Sequence, residues 1–201
     1  MKYEEQKQFF EKCYSYSRHG WSTNKISLDI KNFLTKIPKG KFLDIGCGEG
    51  KYTILAQKLG FQAHGIDYTQ KAIEKAKQKA QSLKCSFITN DFFKQKFSNK
   101  FDAVLDSGFL HHIKKTDWPV YKKKLLGLTR PSAHYILSCF SEKDTTHKRA
   151  KQHLIHYNHY DYFFSREDIG KLFSKDFKII KINEEAYPSG KSFYNCLMQK
   201  F

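Results

Sequence analysis

The run Phe42-Leu43-Asp44-Ile45-Gly46-Cys47-Gly48-Glu49-Gly50 constrains this chain more than any other, because an apolar stretch leads directly into three glycines at alternate positions. It reads as a strand entering a glycine loop that opens a helix. Glycine is required where a backbone takes positive φ or approaches a ligand closely, so Gly46, Gly48 and Gly50 leave room for a nucleotide-like cofactor. A dinucleotide fingerprint, G-x-G-x-x-G, needs its third glycine where this chain has Lys51, which argues against NAD.

The spacing of the next three strand ends turns a weak motif into a strong one. After a helical stretch and the Gly60 stop comes Phe61-Gln62-Ala63-His64-Gly65-Ile66-Asp67, an apolar strand ending in a carboxylate. Asp67 falls roughly 20 residues beyond the glycine loop, where a βαβ unit delivers an acid to ribose hydroxyls. A third strand over residues 85–89 ends in Asn90-Asp91-Phe92, and a fourth over 101–105 ends in Asp106-Ser107-Gly108-Phe109-Leu110-His111-His112. With Asp44 two residues before the first glycine, the string D-x-G-x-G-x-G and these strand ends resemble the class I S-adenosylmethionine (SAM) dependent methyltransferases.

That resemblance implies an α/β fold, a Rossmann-like doubly wound sheet of seven strands, mostly parallel, with an antiparallel last strand. It implies SAM as cofactor and S-adenosylhomocysteine as product. Asp44, Gly46, Cys47, Gly48 and Gly50 would form the loop around the methionine end, Asp67 and Tyr68 would meet the ribose, and Asn90, Asp91 and Phe92 would hold the adenine. Asp106 would contact the methionine end or the substrate. Cys47, at a helix amino terminus, would touch the cofactor through its backbone or carry a thiol of lowered pKa. The run Asp106-Ser107-Gly108-Phe109-Leu110-His111-His112, with Ser138 to Ser141 closing the fifth strand, is similar to a thiopurine and thiol methyltransferase branch.

At 201 residues and 40% hydrophobic content, the chain suits one domain: helices over the cleft in 1–39, a SAM-binding core in 40–140, an insertion on the substrate side in 141–164, and a closing helix and strands in 165–201. Residues 3–14 and 25–36 read as amphipathic helices, 133–140 as the fifth strand, 165–173 as a helix capped by Ser165 and Asp168, and 177–183 and 192–198 as strands joined at Pro188-Ser189-Gly190. No apolar run reaches membrane-spanning length and the first residues lack a secretion signal, so a cytoplasmic location is expected, with no membrane partner. The five cysteines form no C-x-x-C pair, which points to reduced thiols.

Net charge +16 raises nucleic acid as a partner, yet only four of the 36 basic residues are arginines, and the lysines are scattered. The fourth strand also lacks the [DN]-P-P-[YF] of amino-group base methylation. A small-molecule acceptor with a thiol, hydroxyl or amine is therefore expected, the alternatives being an RNA methyltransferase and a non-catalytic SAM-binding partner subunit. Nothing in the sequence sets the oligomeric state.

His111 and His112 lie just past the fourth strand, where open α/β sheets bind ligands, and either could serve as a general base or hold the loop by hydrogen bonds. The stretch 141–162 interrupts the α/β alternation and concentrates histidine with tyrosine, so His159, Tyr160 and Tyr162 are candidates for the substrate wall, with Trp21, Tyr14 and Tyr16 as a lid. His153, His156 and His159 recur every third residue, which on a helix would align them loosely; the spacing differs from that of a helical zinc pair, and no metal is expected.

Overall fold

The computed structural model describes residues 3–16, 25–146, 153–156 and 159–201. Two helices, α1 (Glu4–Ser15) and α2 (Leu28–Lys36), precede β1 (Lys41–Ile45). Next come α3 (Lys51–Lys58), β2 (Gln62–Asp67), α4 (Gln70–Lys79), β3 (Ser86–Thr89), β4 (Phe101–Ser107), α5 (Trp118–Leu128) and β5 (Thr129–Phe140). A small hairpin of β6 (His153–His156) and β7 (His159–Tyr162), then α6 (Arg166–Phe173), β8 (Phe177–Ala186) and β9 (Ser192–Lys200) complete the chain.

The main sheet has seven strands in the order β3-β2-β1-β4-β5-β9-β8. β1 pairs in parallel with both β2 and β4, so the strand order reverses at β1, and the crevice beyond that point is where such sheets take ligands. β9 enters antiparallel between β5 and β8, as the resemblance implied. The central strands are apolar on both faces because helices cover both. On one side Ile30, Phe33 and Leu34 of α2 pack with Phe42, Ala103 and Ile136; on the other Tyr121 and Leu125 of α5 pack with Leu43, Val104 and Leu137. Each such large side chain contributes about 1.5–3 kcal/mol on burial, which fixes α2 and α5 against the sheet.

Four local expectations meet a correction or a confirmation. β5 begins at Thr129, directly after α5 and before the expected residue 133; a register shift on β4 between Phe101 and Ala103 and the left-handed Ser132 (φ 61°) absorb the irregularity. His153 and His159 do not share a helix: they lie on β6 and β7, in the pairs His153–Tyr162 and His156–His159. The side chain of Ser165 accepts from the Asp168 N–H while the Asp168 carboxylate accepts from the Ser165 N–H, the capping box that the spacing predicts. The turn after β8 is closed by Gly190, at φ 90°, with Tyr187 N–H donating to the Lys191 carbonyl.

Candidate active site

The glycine loop takes the shape its sequence requires. Gly46, Gly48 and Gly50 sit at φ 65°, 53° and 77°, and the Cys47 N–H donates to the Ile66 carbonyl at 3.0 Å, laying the loop across the end of β2. Behind it, Asp44 accepts from the Thr53 hydroxyl at 2.7 Å, locking β1 to α3. Burial pushes the Asp44 carboxyl up to about 7, against the Thr53 bonds that favour its ionised form. Gly65 has a role that the sequence did not suggest: a Cβ there would lie 2.8 Å from both Cys47 Sγ and Thr53 Oγ1. Its missing side chain lets the loop seat on β2.

Asp67 is oriented on both oxygens. One accepts from the Gly48 N–H at 2.9 Å, the other from the Thr69 N–H at 2.8 Å and the Thr69 hydroxyl at 2.6 Å. Burial raises its pKa, and these three donors oppose the shift. At the end of β3, Asp91 accepts from the Phe93 N–H at 2.8 Å, and Asn90 accepts from the Asp91 N–H at 2.9 Å. Asp44, Gly46, Cys47, Gly48, Asp67, Tyr68, Asn90, Asp91 and Phe92 all line one cavity of about 940 Å³, large enough for a nucleoside-bearing cofactor together with a small second molecule.

Two expected cofactor residues stand outside that wall. Gly50 is a packing position, where a Cβ would meet the Phe87 ring at 2.8 Å. Asp106 is fully buried behind the cavity, accepting from the Phe109 and Leu110 N–H groups and from the Tyr121 hydroxyl, which in turn lies 2.9 Å from the Tyr135 hydroxyl. It shapes the loop after β4 from within. Cys47 also departs from the lowered-pKa alternative, since burial pushes its thiol well above the usual value.

The far end of the cavity carries a linked set of histidines. The Phe140 N–H donates to His111 Nδ1 at 3.1 Å, so in neutral His111 the proton sits on Nε2. Burial holds His111 in that neutral form, driving its pKa well below the ordinary value, and its ring stacks on Phe140 at 3.9 Å. His111 Nε2 lies 3.2 Å from His112 Nε2, which must therefore accept. The remaining nitrogen, His112 Nδ1, then carries a proton and sits 2.8 Å from Asp161 Oδ1 and 3.0 Å from the Tyr160 carbonyl. Asp161 also faces His159 Nε2 at 3.3 Å, and these two histidines hold its carboxyl well below the usual range despite burial.

His111, His112, His159 and Asp161 all reach the cavity. Tyr160 and Tyr162 do not line it. Tyr160 contributes its backbone, and Tyr162 packs edge-on against Trp118 with its hydroxyl donating to Asp168 at 3.2 Å. Tyr14 does line the cavity and Tyr16 is exposed, while Trp21 falls outside the described residues. Among the described residues no cluster of histidine, cysteine or acid is arranged to hold a metal ion. Tyr3, which precedes α1, and Gln6, Phe9 and Phe10 within it are wall residues that sequence reasoning missed. An amphipathic pattern gives a helix a face for burial without saying which of its side chains reach a cleft.

Residues 37–176 match the family model described as a methyltransferase domain. An uncharacterised methyltransferase of Schizosaccharomyces pombe is 30% identical over 133 residues, covering 65% of this chain and 90% of that protein. A probable thiol methyltransferase 2 of Arabidopsis thaliana is 24% identical over 137 residues, covering 65% of this chain and 61% of that protein. Among solved structures, the 1,6-didemethyltoxoflavin-N1-methyltransferase of Burkholderia thailandensis, with bound 1,6-didemethyltoxoflavin and S-adenosylhomocysteine, superposes with a TM-score of 0.81 at 18% identity, over 98% of this chain and 88% of that one. The chain belongs to the methyltransferase domain family and has the class I fold. It is a SAM-dependent methyltransferase, SAM being the methyl donor that the family uses.

Proposed function

We propose that this methyltransferase acts on a small acceptor bearing a thiol, hydroxyl or amine, and that His112 removes the acceptor's proton. The single observation that carries the reading is the His112–Asp161 contact at 2.8 Å within the cavity. The Tyr160 carbonyl accepts from Nδ1 and the Asp161 carboxylate faces it, which fixes the tautomer with its lone pair on Nε2; the acceptor's X–H would take the place that the His111 Nε2–H holds there. Such a nitrogen is what an X–H acceptor group needs and what an already anionic one does not.

The residues around SAM fit it. Asp67, with one lone pair remaining beyond its three protein donors, would take a ribose hydroxyl; Asn90, Asp91 and Phe92 would hold the adenine, and the Gly46 to Gly48 backbone would pass beside the methionine end. When bound, SAM supplies an electrophilic methyl group on a sulfonium. The chain's part is to hold the acceptor in line and to receive its proton on His112 Nε2, while Asp161 balances the charge that His112 gains. His111 holds the His112 Nε2 lone pair with its own Nε2–H, a bond that the acceptor's X–H must displace.

The acceptor end is walled by aromatic rings, Phe9, Phe10, Phe109 and Phe140 among them, which favours an apolar or ring-bearing molecule over a nucleic acid strand. The Burkholderia enzyme holds such a molecule, and the Arabidopsis relative is named for thiols. The test is transfer from radiolabelled SAM to a panel of thiols, phenols, amines and bulk RNA. Label in a small acceptor is expected; incorporation into RNA at higher rates would overturn the reading.

A further inference from the structure

Gln6 does something unusual for a residue on an amphipathic helix. Its side chain is buried, at 5% exposure, and its amide makes two bonds away from α1. Nε2 donates to the His112 carbonyl at 3.2 Å, and Oε1 accepts from the Tyr160 N–H at 3.1 Å. The two backbone groups belong to the residues that form, or adjoin, the His112–Asp161 pair, and they come from separate elements, the turn after β4 and the strand β7. One planar amide therefore spans the two segments whose relative position brings Nδ1 of His112 to Asp161.

The rest of α1 supports the same docking. The Tyr3 hydroxyl donates to Asp117 at 2.6 Å and accepts from the Lys114 N–H at 3.3 Å, tying the helix start to the segment after His112. Lys75 Nζ donates to the Tyr14 carbonyl at 2.7 Å, tying the helix end to α4. Between these anchors Phe9 stacks on His159 at 4.2 Å, and Phe10 meets the edge of His112 at 5.0 Å. The Tyr14 hydroxyl lies 2.6 Å from where a Cβ on Gly48 would be. The helix thus roofs the cavity from its cofactor end to its acceptor end.

We infer that Gln6 is a positioning residue, and that seating α1 over the cavity is what holds His112 and Asp161 in register. The inference rests on the reading of His112 as the base. Its consequence is that the base is complete only where α1 is seated over the cavity, a coupling that discourages proton transfer in an open, wet site.

The test reads the histidine tautomers directly, by 15N spectra of histidine-labelled protein with S-adenosylhomocysteine added. In the native protein His111 should appear as the Nε2–H form and His112 as the Nδ1–H form. In Gln6→Ala, His112 should move toward a mixture of tautomers while His111, held by the Phe140 N–H, stays as it was. Gln6→Glu, which keeps an acceptor for Tyr160 and loses the donor to His112, should show the same change in smaller measure and guards against a general loss of fold. Methyl transfer to the best acceptor of the panel should fall at least tenfold in Gln6→Ala, with no further fall when the change is made in His112→Gln. An unaltered His112 tautomer in both variants overturns the inference. So does an equal Gln6→Ala loss in the His112→Gln background, which would leave the base reading standing. Full activity of His112→Gln would instead remove the base reading itself.

Discussion

Nδ1 of His112 lies 2.8 Å from Oδ1 of Asp161, and the two residues come from separate elements, one from the turn after β4 and the other from the hairpin strand β7. Asp161→Asn keeps the shape and removes the charge, and its amide competes to donate toward Nδ1. Turnover should drop by roughly 10²-fold, the lower end of what general base catalysis contributes, while affinity for SAM stays within twofold. Stopped turnover assays and calorimetry on the same sample separate the two quantities. An equal loss in both would mean that Asp161 supports the fold of the site and not its chemistry.

Asp67 gives a second expectation, on the cofactor side. Asp67→Ala should weaken SAM binding by about 1.5–3 kcal/mol, the usual loss for hydrogen bonds to a charged acceptor. Because the carboxylate also receives bonds from Gly48 and Thr69, the melting temperature should fall as well. Calorimetric affinity equal to that of the native protein would exclude Asp67 as a cofactor contact.

Gly65 should tolerate no side chain. A methyl group placed 2.8 Å from Cys47 Sγ and Thr53 Oγ1 must displace the glycine loop or the start of α3. Gly65→Ala is expected to cost about 1–3 kcal/mol in urea denaturation and to weaken SAM binding together with stability. Unchanged stability would show that the loop has room to shift.

The buried carboxyls give the fold's stability a pH dependence of definite sign. Burial raises Asp106 to about 6, against bonds from Tyr121, Phe109 and Leu110, and a carboxyl raised above its unfolded value of about 4 stabilises the fold at low pH. That contribution is lost as pH rises through about 6. Asp44, raised to about 7, acts in the same sense, whereas buried neutral His111 acts in the opposite one, its contribution fading as pH falls below about 6.5. Asp106→Asn keeps an acceptor for the Phe109 and Leu110 N–H groups and cannot ionise. Compared with the native protein, its change in unfolding free energy between about pH 4 and 6 should lose a falling component of up to about 1.4 kcal/mol per pH unit. Superimposable profiles would place the Asp106 titration elsewhere.

Much of the cavity wall around the glycine loop was legible in the sequence because it is local. A glycine loop after an apolar run, and acids closing successive strands, are short-range patterns that the β1–α3–β2 unit converts directly into a cavity wall. Asp106 shows the limit of that reasoning. Asp67 closes β2, but β4 runs one residue past Asp106, so the pleat sends Ser107 to the cavity and turns Asp106 toward Tyr121 of α5, and a sequence position does not reveal which side of the sheet a residue near a strand's end faces. The hairpin was hidden for another reason: histidines every third residue fit neither helix nor strand periodicity cleanly. The links from Gln6 and Asp161 to His112 are long-range contacts with no local signature at all.

The most direct measurement compares native protein and His112→Gln on two acceptors that differ in need of a base, a phenol, which is protonated at neutral pH, and 4-nitrothiophenol, which is already a thiolate there. With radiolabelled SAM, the native protein is expected to label a small acceptor, and the variant to lose transfer to the phenol by 10²-fold or more while transfer to the thiolate stays within a few-fold. Equal retention of both activities in the variant, or label appearing in RNA and in neither small acceptor, would contradict the account.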